Sequence, residues 1–188
     1  MDTCGDGLDQ EKALAGVVVA VCTSRVRTEP KEDCGTAWLI ADYGIEGDAH
    51  AGLGDRQVSL LGIEGVEELN RSHRIGATAG SLVENITTRG IDLLSLAVGQ
   101  HLQIGSAVLE VVRIGKAPDE PHTYSFKGFC LLPTQGVFCR VVSGGRISNG
   151  DVIRLIEHAG RPGRRSTLAP TNSSGARSHL FRRGWMLV

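Results

Sequence analysis

The sequence predicts a mainly β protein: a closed, mostly antiparallel β-barrel with a few short helices. Three observations carry this. β-prone apolar runs are short and recur along the chain. Glycine is abundant, 25 of 188 residues, and falls at the ends of those runs, where turns need it. Only one stretch carries a clear helical spacing. Many short strands with glycine turns and one or two helices suit a barrel that closes on itself.

Taken in order, residues 1–14 are polar and are expected to be a flexible N-terminal segment. "GVVVAVCTS" (16–24) is a continuous, partly β-branched apolar run and reads as a buried strand. "RVRTEPKEDCGTAW" (25–38) reads as a polar loop, since Pro30 and Gly35 forbid a long helix. Short strands are expected at 37–41 and 56–61. "IEGVEELNRSH" (63–73) is the helix: Ile63, Val66 and Leu69 are spaced by three, with acids early and Arg71, His73 and Arg74 late, an order that suits the helix dipole. A strand is expected at 82–86, a turn at Arg89-Gly90 and a helical turn at 92–95. "HLQIGSAVLEVVRIG" (101–115) reads as a hairpin turned at Gly105-Ser106. Residues 136–156 read as a second hairpin turned at Gly144-Gly145, with another tight turn at Asn149-Gly150. The barrel domain is thus expected over 15–157. From 158 the composition shifts to Gly, Pro, Ser and Arg, which predicts a disordered basic tail over 158–188, ending in an apolar "HLFRRGWMLV".

The formal net charge is −1, so nothing draws the chain to nucleic acid or to an anionic membrane. No apolar run approaches the ~20 residues of a membrane span. The N-terminal residues lack the basic and apolar regions of a signal peptide, so a cytoplasmic protein is expected. The five cysteines, Cys4, Cys22, Cys34, Cys130 and Cys139, are odd in number and include no C-x-x-C, which argues against a disulfide framework and a zinc ribbon.

The stretch "GIEGDAHAGLGDRQVSLL" (44–61) is dense in chemistry. Asp48 and His50 share a face of an extended chain and, with Glu46, give three potential ligands; a hydrogen-bonding loop or the wall of an anion site fits the same residues. Arg56, Lys116 and Arg140 can supply charge for a phosphate-bearing ligand, or be solvated surface cations. His122, beside Asp119 and Glu120, is a carboxylate-backed imidazole that could act as base or ligand, or an exposed loop histidine. Cys130 has Lys127 three residues away and is the candidate reactive thiol, with a small core residue as its alternative role. Cys139 alternates with Val137 and Val141, and Cys22 sits in an apolar strand, so both read as core.

"GDAHAG" with "RQVSLL", then "ENITTRG" (84–90), then "GGRISNGD" (144–151) occur in one order, and that combination resembles the MOSC family, named for the C-terminal domain of molybdenum-cofactor sulfurases. The likeness spans roughly residues 16–156 and is to small stand-alone bacterial members. It implies a β-barrel that binds the molybdenum cofactor (molybdopterin) or carries sulfur as a cysteine persulfide. The partners it implies are a cysteine desulfurase or a molybdoenzyme, besides a small anionic ligand. Sulfurases hold pyridoxal phosphate on a separate domain for which 188 residues leave no room, so a complete sulfurase is not expected. Many relatives place a cysteine directly after the Gly-Lys pair. Here Ala117, Pro118 and Asp119 follow Gly115-Lys116, and Cys130 keeps a second cysteine position. The expected site therefore joins Asp48, His50 and Arg56 to Lys116, His122, Cys130 and Arg140. Two rival readings are a non-catalytic binding module of the same fold, and a metal-dependent hydrolase using His50, Asp48 and His122.

Overall fold

The first strand sets the frame. β1 (Ala15–Thr23) pairs antiparallel with the last strand, β11 (Val152–Ile156), along one edge and with β6 (Ile86–Arg89) along the other. In the computed structural model, which describes residues 15–52, 54–116 and 124–156, those two pairings close a seven-stranded barrel. Its order is β1, β11, β7 (His101–Ile104), β8 (Ala107–Ile114), β9 (Val137–Ser143), β5 (Val58–Gly62), β6 and back to β1. Every neighbouring pair is antiparallel except β5–β6. That parallel pair requires a crossover, which contains helix α1 (Ile63–His73). A two-residue β2 (Glu32–Asp33) extends the end of β1. Outside the barrel, β10 (Gly145–Ser148), β3 (Thr36–Ile40) and β4 (Gly44–Ile45) form a second sheet. These strands all lie within one compact unit. The expected loose segment 1–14, the basic tail and its apolar end lie outside the described residues.

Alternation fills the barrel. Val58 and Leu60 on β5, Leu102 and Ile104 on β7, Leu109 and Val111 on β8, and Val137, Cys139 and Val141 on β9 point inward and are buried. β5 is apolar on its other face too: Leu61 joins a second cluster outside the barrel wall with Val66, Leu69, Leu82, Leu132 and Phe138. Helix α1 supplies Val66 and Leu69 to that cluster, and the short helix α2 (Leu132–Gln135) supplies Leu132. α1 ends where Arg74 turns left-handed and its N–H reaches the Asn70 carbonyl at 2.8 Å. This helix, the helical turn at Leu93–Ser95 and the β7–β8 hairpin match the sequence reading.

Three expectations fail. The strand expected at 82–86 begins instead at Ile86, because Glu84 spends its side chain on the local backbone and Asn85 spends its own on the neighbouring strand β5. The Glu84 carboxylate accepts the Gly80 N–H at 2.7 Å, and Asn85 Oδ1 accepts the Ser59 N–H at 3.2 Å. Residues 136–156 are not one hairpin: β10 leaves the barrel after β9 and pairs with β3. Gly145 permits this, since a Cβ there would lie 2.6 Å from the Ser106 backbone. The loop expected at 25–38 holds β2 and the start of β3, and just before β2 it turns Lys31 inward.

Candidate functional site

The loop from β4 to β5 is built around one carboxylate. Gly47, at φ +78, turns the chain so that Asp48 points inward, with 6% of its surface exposed. Asp48 Oδ1 accepts the His50 backbone N–H at 2.9 Å, closing an Asx turn, and Oδ2 accepts the Ser24 N–H at 3.1 Å. Oδ2 also accepts a hydrogen bond from Lys31 Nζ, whose side chain is 1% exposed. Burial alone would raise the Asp48 carboxyl, but hydrogen bonds with His50 and Lys31 outweigh it and hold the group well below the usual carboxylate range. Burial likewise pulls the Lys31 ammonium below its usual range, with Asp48 opposing. Gln57 braces the loop end: its amide donates to the Gly54 carbonyl at 2.6 Å and accepts the Val141 N–H at 2.9 Å.

Lys31 Nζ also lies 3.3 Å from His50 Nδ1. The His50 side chain, 35% exposed, lines a pocket of about 440 Å³ on the outer face of β5 and β9. Arg27, Arg56 and Lys116 line it too, while Tyr124, Phe138, Leu132 and Val83 make its apolar side, and Ser59 and Asn85 its floor. Arg27 is steered by a hydrogen bond from Nε to the Ala49 carbonyl at 2.9 Å, and the Lys116 ammonium sits 5.9 Å from the centre of the Phe138 ring. Among the described residues no carboxylate lines the pocket.

The pocket thus brings together His50, Arg56 and Lys116, and Asp48 supports it from beneath. It does not include Arg140, which lies on the barrel exterior and pairs with Glu110 at 2.5 Å and Asp42 at 3.7 Å. His122 lies outside the described residues. Cys130 is half-buried against the second apolar cluster and is not among the lining residues. Burial raises its thiol, and the Leu132 backbone N–H and the Lys116 ammonium pull it back. Cys22 and Cys139 are fully buried, with the Cys22 thiol pushed up to about 12 by burial and the nearby Glu84.

The metal reading of Asp48 and His50 meets a cation already in place. The Asp48 carboxylate is spent on Lys31, Ser24 and the His50 backbone, and His50 Nδ1 faces an ammonium. Among the described residues no group of three or more His, Cys, Asp or Glu could hold a metal ion. None of those residues forms a helix long and apolar enough to cross a membrane. Sequence reasoning missed Lys31, Arg27 and Tyr124. A lysine in a polar loop reads as solvated, and only the tertiary fold that sets Asp48 opposite it says otherwise.

Comparison with known proteins agrees with the fold. Three solved structures share the fold: the YuaD protein from Bacillus subtilis (21% identity over 75% of this chain and 95% of that one, TM-score 0.59), YiiM from Geobacillus stearothermophilus (19%, 76% and 75%, TM-score 0.57) and YiiM from Escherichia coli (19%, 76% and 70%, TM-score 0.54). No curated protein matches the chain. The family model of the MOSC domain matches residues 46–154, more than half the sequence, from the Asp48 loop to the last barrel strand, and the chain belongs to the MOSC domain family.

Proposed function

We propose that this MOSC domain binds the molybdenum cofactor in the pocket beside His50. One observation carries the reading: a concavity of about 440 Å³ offers Arg27, Arg56, Lys116 and an imidazole, with no carboxylate lining it among the described residues. That volume is within the range of small-molecule sites. Guanidinium and ammonium groups match a phosphate, and Tyr124, Phe138, Leu132 and Val83 offer an apolar side to a ring system. The donor set therefore fits a phosphate-bearing pterin. Arg27, Arg56 and Lys116 would hold its anionic end, and His50, braced by Asp48, would donate a hydrogen bond. The bound group would supply the molybdenum chemistry; the chain supplies charge, orientation and a partly desolvated floor.

Anaerobic incubation with molybdenum cofactor released from a molybdoenzyme, followed by gel filtration and fluorescence of the oxidised pterin, tests the reading. Wild type is expected to retain near-stoichiometric pterin, and the Arg56→Gln, Lys116→Gln double variant to retain little. Equal retention by both, or none by wild type, would overturn it.

A second reading, sulfur carriage, has its own support. Lys116 lines the pocket and also acts on Cys130, so thiol and pocket share a cation. In this reading the Cys130 thiolate attacks the terminal sulfur of a desulfurase persulfide. A Cys130 persulfide forms and the donor thiolate leaves. Mass spectrometry after incubation with a cysteine desulfurase and cysteine should find one added sulfur on Cys130, absent from Cys130→Ser. No added sulfur would remove this reading while leaving cofactor binding intact. A binding module that takes neither cofactor nor sulfur would fail both assays.

A further inference from the structure

We infer that Lys31 is a positioning residue that fixes the tautomer of His50, so that the imidazole offers the pocket an N–H donor at Nε2. Lys31 comes from the β1–β2 loop, far in the fold's connectivity from the loop that carries His50, and its backbone N–H is anchored on the Gly80 carbonyl at 2.9 Å. Its side chain is buried and meets two groups, Asp48 Oδ2 and His50 Nδ1, the latter at 3.3 Å. An ammonium has donors and no lone pair, so facing Nδ1 it donates. Nδ1 must then be the unprotonated nitrogen, and the ring hydrogen of neutral His50 sits on Nε2.

The competing arrangement is an Nδ1–H donating to Asp48. The geometry disfavours it: Asp48 Oδ1 is 3.6 Å from Nδ1, beyond hydrogen-bond range, and already accepts the His50 main-chain N–H at 2.9 Å. The charged groups around the pair are consistent with this. Asp48 faces Lys31 directly, Glu84 also acts on Lys31, and Arg27, Arg56 and Lys116 share the pocket with His50. The wall His50 contributes is therefore a donor, matched to an oxyanion and mismatched to a ligand group that itself donates.

The tautomer inference stands on geometry alone. Its binding consequence rests on the reading of the pocket as an anion site. Two measurements on the full chain separate them. The first is a long-range ¹H–¹⁵N correlation spectrum of histidine-labelled protein near neutral pH, with His50 assigned by its loss in His50→Gln. It should show Nε2–H in wild type and a shift to Nδ1–H or to imidazolium in Lys31→Met. The second is a titration with inorganic phosphate. Lys31→Met should weaken binding about tenfold when His50 is present, the worth of one charge-assisted hydrogen bond, and less than about twofold in the His50→Gln background. An Nδ1–H wild type, an unchanged tautomer in Lys31→Met, or equal loss in both backgrounds would overturn the assignment. If Lys31→Met does not fold, the wild-type spectrum alone decides. If phosphate fails to bind wild type, the anion reading falls and the tautomer is still tested.

Discussion

Replacing Asp48 by asparagine strands a buried ammonium. In the native protein Lys31 is 4% exposed and its charge is met by Asp48. Removing one partner of a buried pair costs about 3–5 kcal/mol, because the other charge stays buried without compensation. The asparagine amide cannot serve all three donors that meet Asp48. Whichever way it is flipped, its NH₂ faces either the Lys31 and Ser24 donors or the His50 N–H. The charge part has a ceiling, since Lys31 can shed its proton on folding. From an ordinary value of 10.5 that costs, at pH 7, about 5 kcal/mol at ~1.4 kcal/mol per pH unit. The ceiling shrinks as pH rises. In the variant the folded state holds fewer protons at Lys31 than the unfolded state between its lowered folded value and 10.5, so stability increases with pH over that window. Urea denaturation followed by circular dichroism should give an Asp48→Asn loss of about 3–5 kcal/mol at pH 7 that narrows to about 2 kcal/mol at pH 9. A loss below about 1 kcal/mol, flat with pH, would refute the buried pair.

Glu84 should act in the opposite sense to Asp48. It is fully buried, its Oε2 has no partner among the described residues, and burial raises its carboxyl. Its raised value makes the native state bind the proton more tightly, so its contribution falls as pH climbs above the ordinary 4.5; urea titrations should show Glu84→Gln losing that slope. Asp48, held low, contributes above its ordinary 3.8 and loses that contribution as pH falls further, so Asp48→Asn should be comparatively less sensitive to acid. Gly80→Ala should cost about 2–4 kcal/mol in thermal or urea unfolding, because φ is +80 and the new Cβ would sit 2.2 Å from the Lys31 carbonyl oxygen. Alkylation of the native protein should spare Cys22 and Cys139, both 0% exposed, and reach Cys34, which is exposed; rapid labelling of Cys139 would contradict its place inside the barrel.

Much of the barrel was legible because its cues are local. The alternation around Cys139, the spacing of Val66 and Leu69 and the Gly105-Ser106 turn each state their own geometry, and the structure has them as read. What failed was non-local. Residues 82–85 look like the start of a strand, yet Glu84 is spent on its near neighbours Gly80 and Thr87, and Asn85 on Ser59, a partner that only the fold brings near. Gly144-Gly145 looks like a hairpin turn, yet β10 finds a distant partner in β3. The site divides the same way. His50, Arg56 and Lys116 announce themselves as residue types and do converge in one pocket. Arg140 has the same chemistry but faces Glu110 directly across the β8–β9 ladder, a register that alternation alone could not supply. Lys31 gave no signal, since nothing near it in sequence shows that a carboxylate seventeen positions on will take it out of water.

The location of the ligand is the claim on which the account turns. It is tested most directly by an amide ¹H–¹⁵N spectrum of the labelled protein during titration with released molybdenum cofactor under anaerobic conditions. The account predicts saturable shifts at His50, Ser59, Asn85 and Phe138, which surround the pocket, with Trp38 and Val152 unmoved on exposed strands that do not line it. Saturable shifts confined to residues outside that set, or no shifts at all, would contradict it.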